Sequence, residues 1–382
     1  MKKMLFAASV AAICGLSSCG QQADVAPAQG SRTGFALSFF RNVNKTVPSS
    51  ENVFVSPYSA GVALSMLTEG AEGQTKVELD NALNGCLFMK EQLSEGDTVV
   101  VKSANSVWVD SDFSIRNHYV SLLQKDYDAA VENLSFADPA TVPAINGWCA
   151  DNTNGKITEI LDKLSPDMVM VLINALYFNA PWQDQFDSSL TAEQPFYGQA
   201  GEQRVQMIAR KGYYNYAEYQ GCQIIQLPYE GGRYSMYVIL PSSGVDINSV
   251  LPYVNESVYD AAMKMLAPQE VRFKMPKVRL ETELLLNNTL KNMGVQTAFT
   301  SAADFRGIAA TGPLAVDQVK QKCYIDVTET GTEAAAVTSI QMRLTSVRPE
   351  MNVKTMTVDR PYLFVIADKD NILFAGKIVN FK

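Results

Sequence analysis

The chain carries one histidine, His118, in the run R-N-H-Y-V. A Ser-His-Asp triad would have to use it, and no G-x-S-x-G turn presents a serine nucleophile. A helical H-E-x-x-H zinc site needs two histidines. Neither G-x-x-x-x-G-K-[ST] nor G-x-G-x-x-G occurs, so no loop is built to cradle a phosphate. Beyond the N-terminal leader the cysteines are Cys86, Cys149, Cys222 and Cys323, widely separated and without C-x-x-C spacing. That spacing argues against zinc and for buried free thiols, with room for one disulfide. His118 reads as a surface or capping side chain. A conventional enzyme is hard to build from these residues, and no metal or cofactor is implied.

One stretch is unusual in another way. Residues 329–341 read E-T-G-T-E-A-A-A-V-T-S-I-Q. They follow a strand-like run, K-Q-K-C-Y-I-D-V (320–327), and precede a polar segment that ends at Arg360-Pro361, where a second apolar run, Y-L-F-V-I-A, begins. About thirty residues thus lie between two buried strands without a core pattern of their own, and a loop of that length in a compact domain is functional or disordered. Gly331 allows a backbone pivot. In extended form Thr332, Ala334, Ala336 and Thr338 share one face, and all four are small enough to enter between two strands. Taken alone, the stretch equally fits a flexible linker or a helical turn, because A-A-A favours helix.

The 382 residues suffice for a large core, and length alone suggests two or three domains. The net charge of -8 sets the chain against nucleic acid and anionic membrane surfaces as partners. The N-terminus reads as a targeting segment. Lys2 and Lys3 precede an apolar stretch, 4–15, too short to span a bilayer. It ends in L-S-S-C, similar to a bacterial lipobox, which would make residues 1–18 a lipoprotein signal peptide and Cys19 the lipidated first residue. An ordinary signal peptide with an incidental cysteine is the alternative. Residues 19–33 read as a flexible tether.

The elements that position the long loop follow from periodicity. Residues 34–45 read as a helix. A second begins at Ser56-Pro57, with Ser as cap and Pro in the first turn, and a third covers 75–83. Residues 99–109 are β-rich, 119–127 helical, 129–134 extended, and 144–153 helical up to the stop at Asn154-Gly155. The unbroken apolar run 168–178 predicts a central strand buried on both faces. Short strands follow at 213–217, 222–227, 234–240 and 270–275, with Gly231-Gly232 as a hairpin signal. Residues 254–266 and 281–293 read as helices, the latter amphipathic and closed by Gly294. The final strands are 364–367 and 373–379.

Several blocks resemble the serpin family: N-V-F-V-S-P-Y-S-A-G-V-A-L-S-M-L, I-N-G-W-C-A-D-N-T-N-G-K-I, N-A-P-W-Q-D-Q-F-D, M-P-K-V, and the E-T-G-T-E-A-A-A hinge. The resemblance covers residues 34–382 in the family's order. It implies an α+β serpin fold: one domain of three β-sheets and eight to nine helices, with an exposed reactive-centre loop. The implied activity is inhibition of serine endopeptidases, with cysteine endopeptidases as a further class, by suicide trapping in a covalent acyl complex. The alternative is a non-inhibitory binding or carrier protein of the same fold. Neither is an enzyme, and no oligomer is implied.

By the same resemblance the hinge comprises Glu329, Gly331, Thr332, Glu333, Ala334, Ala335 and Ala336. Lys277 is the expected partner of Glu329. Ser56, Ser59, Asn174, Trp182 and Gln321 lie where the central sheet opens, Gln321 standing where the family usually has a histidine. The family's spacing from Gly331 puts the cleaved bond at Thr345-Ser346, whereas counting back from Pro361 lands near Glu350. Arg343, Arg348 and Lys354 are alternatives suited to trypsin-like pockets. The expected location is the cell envelope of a bacterium, exported and held by Cys19.

Overall fold

The computed structural model describes residues 30–89, 99–310, 314–332 and 353–381. The expectations for Cys19 and most of the tether, and for Glu333, Ala334, Ala335, Ala336, Arg343, Thr345, Ser346 and Arg348, lie outside those residues. Helix α1 (Arg32–Thr46) buries Phe35, Leu37, Phe39, Phe40 and Val43, and Ser31 caps it by accepting from the Gly34 N–H at 2.8 Å. After strand β1 (Val53–Val55) comes α2 (Pro57–Gly70), built mostly of apolar and small residues and buried along nearly its whole length, as a helix without a continuous charged face must be. Then follow α3 (Gly73–Ala82), β2 (Val100–Asp110), α4 (Asn117–Tyr127), β3 (Ala130–Leu134), α5 (Thr141–Asn152) and β4 (Met170–Pro181). β4 is buried on both faces, as its apolar run requires.

Strands β5 (Ala192–Gly198), β6 (Gly201–Tyr219), β7 (Cys222–Pro228) and β8 (Ser235–Pro241) are joined by tight turns, with Gly231 and Gly232 both at positive φ in the last. Helices α6 (Ile247–Val250) and α7 (Glu256–Met265) lead to β9 (Ala267–Pro276) and β10 (Val278–Leu285). Helix α8 (Asn287–Asn292), β11 (Gln318–Val327), the two-residue β12 (Gly331–Thr332), β13 (Lys354–Thr357), β14 (Tyr362–Ala367) and β15 (Ile372–Ile378) complete the chain.

The strands form two hydrogen-bonded sheets. One has six strands in the order β10-β11-β12-β4-β2-β3, and the other runs β1-β15-β14-β8-β7-β6-β9-β13 with β5 on β6. The expected α+β fold with eight helices is present among the described residues. The second and third expected sheets are continuous, because the 19-residue β6 pairs in turn with β5, β9 and β7.

One element was misread from sequence. Residues 281–293 are not one helix: β10 ends at Leu285 and only α8 is helical. The outward Glu281 and Glu283 pair with Lys322 and Lys320 of β11, at 2.8 and 3.0 Å. Those cross-strand partners, distant in sequence, favour a strand over the helical period of the leucines.

Glu78 ties α3 to the 3-10 turn Thr297–Phe299. Its carboxylate accepts from the N–H groups of Gln296 and Thr297 and from the Thr297 hydroxyl, at 2.7–2.8 Å. Burial works to raise its pKa, but the Thr297 hydroxyl and amide, Gln74 and the Gln296 amide outweigh it and bring it down to about 2. A depressed carboxyl pKa contributes stability that is complete above the unfolded value, about 4.3. That stability is lost as pH falls through about 2. Glu78→Gln should therefore flatten the melting temperature between those limits. At neutral pH it should cost about 1 kcal/mol, allowing for solvent screening. Thermal melts at stepped pH check both; an unchanged acid limb would refute the assignment.

Candidate functional site

β4 and β11 lie side by side and parallel only over their lower part, from Gln318 opposite Val171 to Cys323 opposite Leu176. Above that the strands part, and β12 fills the gap antiparallel to both. Thr332 stands opposite Ala180 on one side and Val327 on the other. Thr332 is 1% exposed. Gly331 lies so close to β4 that a Cβ there would meet the Ala180 carbonyl oxygen at 2.2 Å and the Pro181 Cα at 2.5 Å. Glycine is required by that approach.

A polar frame holds this entry. Lys277 and Glu329, 52 positions apart in sequence, form an ion pair at 2.9 Å, and the Thr191 hydroxyl donates to the other carboxylate oxygen at 2.8 Å. Burial of Glu329 works against its charge, but the Lys277 ammonium and the Thr191 hydroxyl hold its pKa below the usual carboxylate range. Trp182 donates from its indole to the Thr328 carbonyl and from its backbone to the Thr330 carbonyl, both at 2.9 Å. The Phe186 N–H donates to the Glu329 carbonyl at 2.9 Å. Tyr229 stacks on Trp182 at 4.5 Å and shares a 2.6 Å hydrogen bond with the Thr332 hydroxyl. Desolvation of Tyr229 pushes its pKa well above the ordinary phenol value.

A second network crosses the seam lower down. The Gln321 amide oxygen accepts from the Ser56 N–H at 3.0 Å, and its nitrogen donates to the Ser56 carbonyl at 2.9 Å and the Asn174 side-chain oxygen at 3.1 Å. Asn174 donates to the Ser59 carbonyl at 2.8 Å and to the Asn105 side-chain oxygen at 2.5 Å. The Ser56 hydroxyl caps α2 by accepting from the Ser59 N–H and donates to the Leu373 carbonyl. Every member is buried. Gln321 can do this because an amide donates and accepts at once.

Sequence reasoning singled out Ser56, Ser59, Asn174, Gln321, Trp182, Lys277, Glu329, Gly331 and Thr332, and the structure gathers them along the seam of one sheet. It missed Asn105, Thr191 and Tyr229. Asn105 had a weak signal, an amide inside the β-rich run 99–109; the other two had none. Lys354 is committed to β13, opposite Val271 of β9 and paired with Glu218 at 3.0 Å. A protease needs backbone free of sheet partners, which removes Lys354 from the alternatives for the cleaved bond. His118 is exposed in the first turn of α4. The cysteines Cys86, Cys149, Cys222 and Cys323 are free, the second and fourth buried.

The profile of a family described as "Serpin (serine protease inhibitor)" matches residues 30–381. An uncharacterised serpin-like protein of Thermococcus kodakarensis is 33% identical over 350 residues, covering 87% of this chain and 82% of its own length. The leukocyte elastase inhibitor of Sus scrofa is 30% identical over 374 residues, covering 91% and 97%. Among solved structures, the thermophilic serpin tengpin in its native state superposes with a TM-score of 0.83 at 28% identity, covering 92% of this chain and 93% of its own.

Proposed function

The chain belongs to the serpin family, many of whose members inhibit proteases, and from that membership we propose that it traps serine endopeptidases, and cysteine endopeptidases as a further class, as a suicide substrate. The protease nucleophile attacks a carbonyl in the loop after Thr332. The peptide bond breaks, the new amine leaves, and an acyl bond joins the loop to the enzyme. The freed loop then enters the seam before water can release it. Export and anchoring through Cys19 belong to the same proposal.

The observation that carries this reading is the seated Thr332. Continuing its pairing, each step along the loop descends one residue on each flanking strand. Ala334 then meets Phe178 and Ile325, Ala336 meets Leu176 and Cys323, and Thr338 meets Asn174 and Gln321. Small residues fall on the crowded face, and a hydroxyl arrives where the Gln321–Asn174 hydrogen bond must part.

The test is incubation of the full chain with a panel of trypsin-, chymotrypsin-, elastase- and papain-like proteases. The expected result is a complex stable to denaturing electrophoresis, with release of a C-terminal peptide beginning at Ser346. Cleavage after Arg343 or Arg348 by the trypsin-like members would mark several usable bonds and a broad target range. Digestion without complex formation by every member would overturn the reading. That outcome would favour a carrier, the second reading. It is supported by an apolar pocket of about 270 Å³ lined by Leu37 and Phe40 of α1, Val258 and Tyr259 of α7, and Ile224 and Leu363 of the larger sheet.

A further inference from the structure

A cleft of about 180 Å³ lies between the link from β4 to β5 and the strands β6, β7 and β9. Drug-sized ligand sites begin at roughly 300 Å³, so this one has room for a single ring. Trp182, Phe186 and Tyr214 are its buried aromatic walls, and Tyr213, 69% exposed, stands at the rim. Ring contacts run behind the walls: Trp182 meets Phe186 at 6.2 Å, Phe186 meets Phe273 at 6.2 Å, and Phe273 meets Tyr214 at 6.0 Å. Edge-on and tilted contacts of this kind fix ring orientation. The polar groups are fixed as well. Arg210 and Asp184 pair at 3.1 Å, and a guanidinium nitrogen also donates to the Asp184 backbone carbonyl at 2.9 Å. The same guanidinium lies over the Tyr214 ring, 5.8 Å from its centre. The Asn215 side-chain nitrogen donates to the Gln226 oxygen at 2.8 Å, and the Gln226 nitrogen to the Ser235 hydroxyl at 2.9 Å. That order leaves Asn215 its carbonyl oxygen as an acceptor. Tyr214 is 7% exposed, and its buried hydroxyl has no hydrogen-bond partner among the described residues. A buried polar group left so is an exception in folded proteins and points to a water or a ligand.

We propose that this cleft binds the terminal hexopyranose of a neutral glycan. The charges of Arg210 and Asp184 cancel, so the site selects neither an anion nor a cation. What remains is an aromatic surface beside polar groups of every kind. Arg210 donates, Asp184 and the oriented Asn215 oxygen accept, and Gln183 and Tyr214 do both. A pyranose matches both halves of that set. One of its faces is a patch of C–H bonds that packs on an aromatic ring, and each hydroxyl on its rim donates and accepts at once. A purely aromatic ligand would use the walls and leave the polar rim unmatched. The exposed Tyr213 carries the aromatic surface outward from the cleft, where the next sugar of a glycan would lie. Binding here calls for no movement of β4 or β11, so the inference is independent of the proposed protease trapping.

The experiment is saturation-transfer NMR on the full chain with the methyl glycosides of glucose, galactose, mannose and N-acetylglucosamine, and with p-cresol as an aromatic probe. At least one glycoside should bind. A neutral trisaccharide ending in that sugar should bind about threefold tighter than the free sugar, through Tyr213. Tyr213→Ala, at an exposed position that leaves folding intact, should weaken the glycoside about tenfold. Asn215→Ala and Tyr214→Phe should each weaken it about threefold. Tyr214→Phe removes a hydroxyl without an internal partner, so its melting temperature should equal or exceed the parent's; a fall would show the hydroxyl to be structurally engaged and overturn its place in the site. Binding of p-cresol but of no glycoside, or silence from all five probes, would overturn the proposal. So would an affinity unchanged in both Tyr213→Ala and Asn215→Ala. Preference for the free sugar over the trisaccharide would overturn the glycan as ligand.

Discussion

Thr332→Arg should convert the protein from a trap into a substrate. Position 332 is 1% exposed and packed beside Ala180 and Val327, with its hydroxyl on Tyr229. A guanidinium there is buried without a carboxylate partner among the neighbours named, and displaces the Tyr229 hydrogen bond. Burying an unpaired charge costs several kcal/mol. If about 3 kcal/mol of that falls on the first step of insertion, insertion slows by roughly a hundredfold, and hydrolysis of the acyl bond wins. Titration of a fixed amount of protease should then show cleaved inhibitor and recovered activity, with at least a tenfold rise in molecules consumed per enzyme stopped. Thr332→Val keeps the shape and loses only the hydroxyl; it should stay an inhibitor. Undiminished trapping by the arginine variant would disprove entry through the β4–β11 seam.

The second large effect is thermal. A single cut in the loop should raise the melting temperature rather than lower it. About a dozen residues entering the sheet, each contributing roughly 0.5–1.5 kcal/mol per hydrogen bond, release on the order of ten kcal/mol. That rivals the entire stability of a typical protease, about 5–15 kcal/mol. A domain of this size unfolds with an entropy of about 0.7 kcal/mol/K, so the nicked form should melt roughly 10–20 °C higher. Calorimetry before and after limited proteolysis measures it directly. Equal melting temperatures would mean that the loop stays outside.

The sequence was legible where local chemistry and global fold agree. The apolar run of β4, the Ser-Pro start of α2 and the Gly-Gly turn after β7 announce themselves, because burial on both faces, capping and positive φ each restrict residue choice. β10 was illegible because its strand state is decided by Lys320 and Lys322, charges far along the chain that only the folded sheet brings opposite Glu281 and Glu283. The same holds at the seam. Lys277 and Glu329 were paired through family resemblance, whereas Tyr229 and Thr191 do their work by reaching residues more than a hundred positions away. No periodicity encodes such contacts.

The network that closes the lower seam joins Gln321, Asn174, Asn105, Ser56 and Ser59. None of these side chains gains or loses a proton in water near neutrality. A histidine at position 321 would couple the readiness of the molecule to ambient acidity; an amide leaves it deaf to that signal. On the proposed insertion reading, a closure built this way holds equally in a souring medium and in a neutral one, until the carboxylates of the upper frame take up protons.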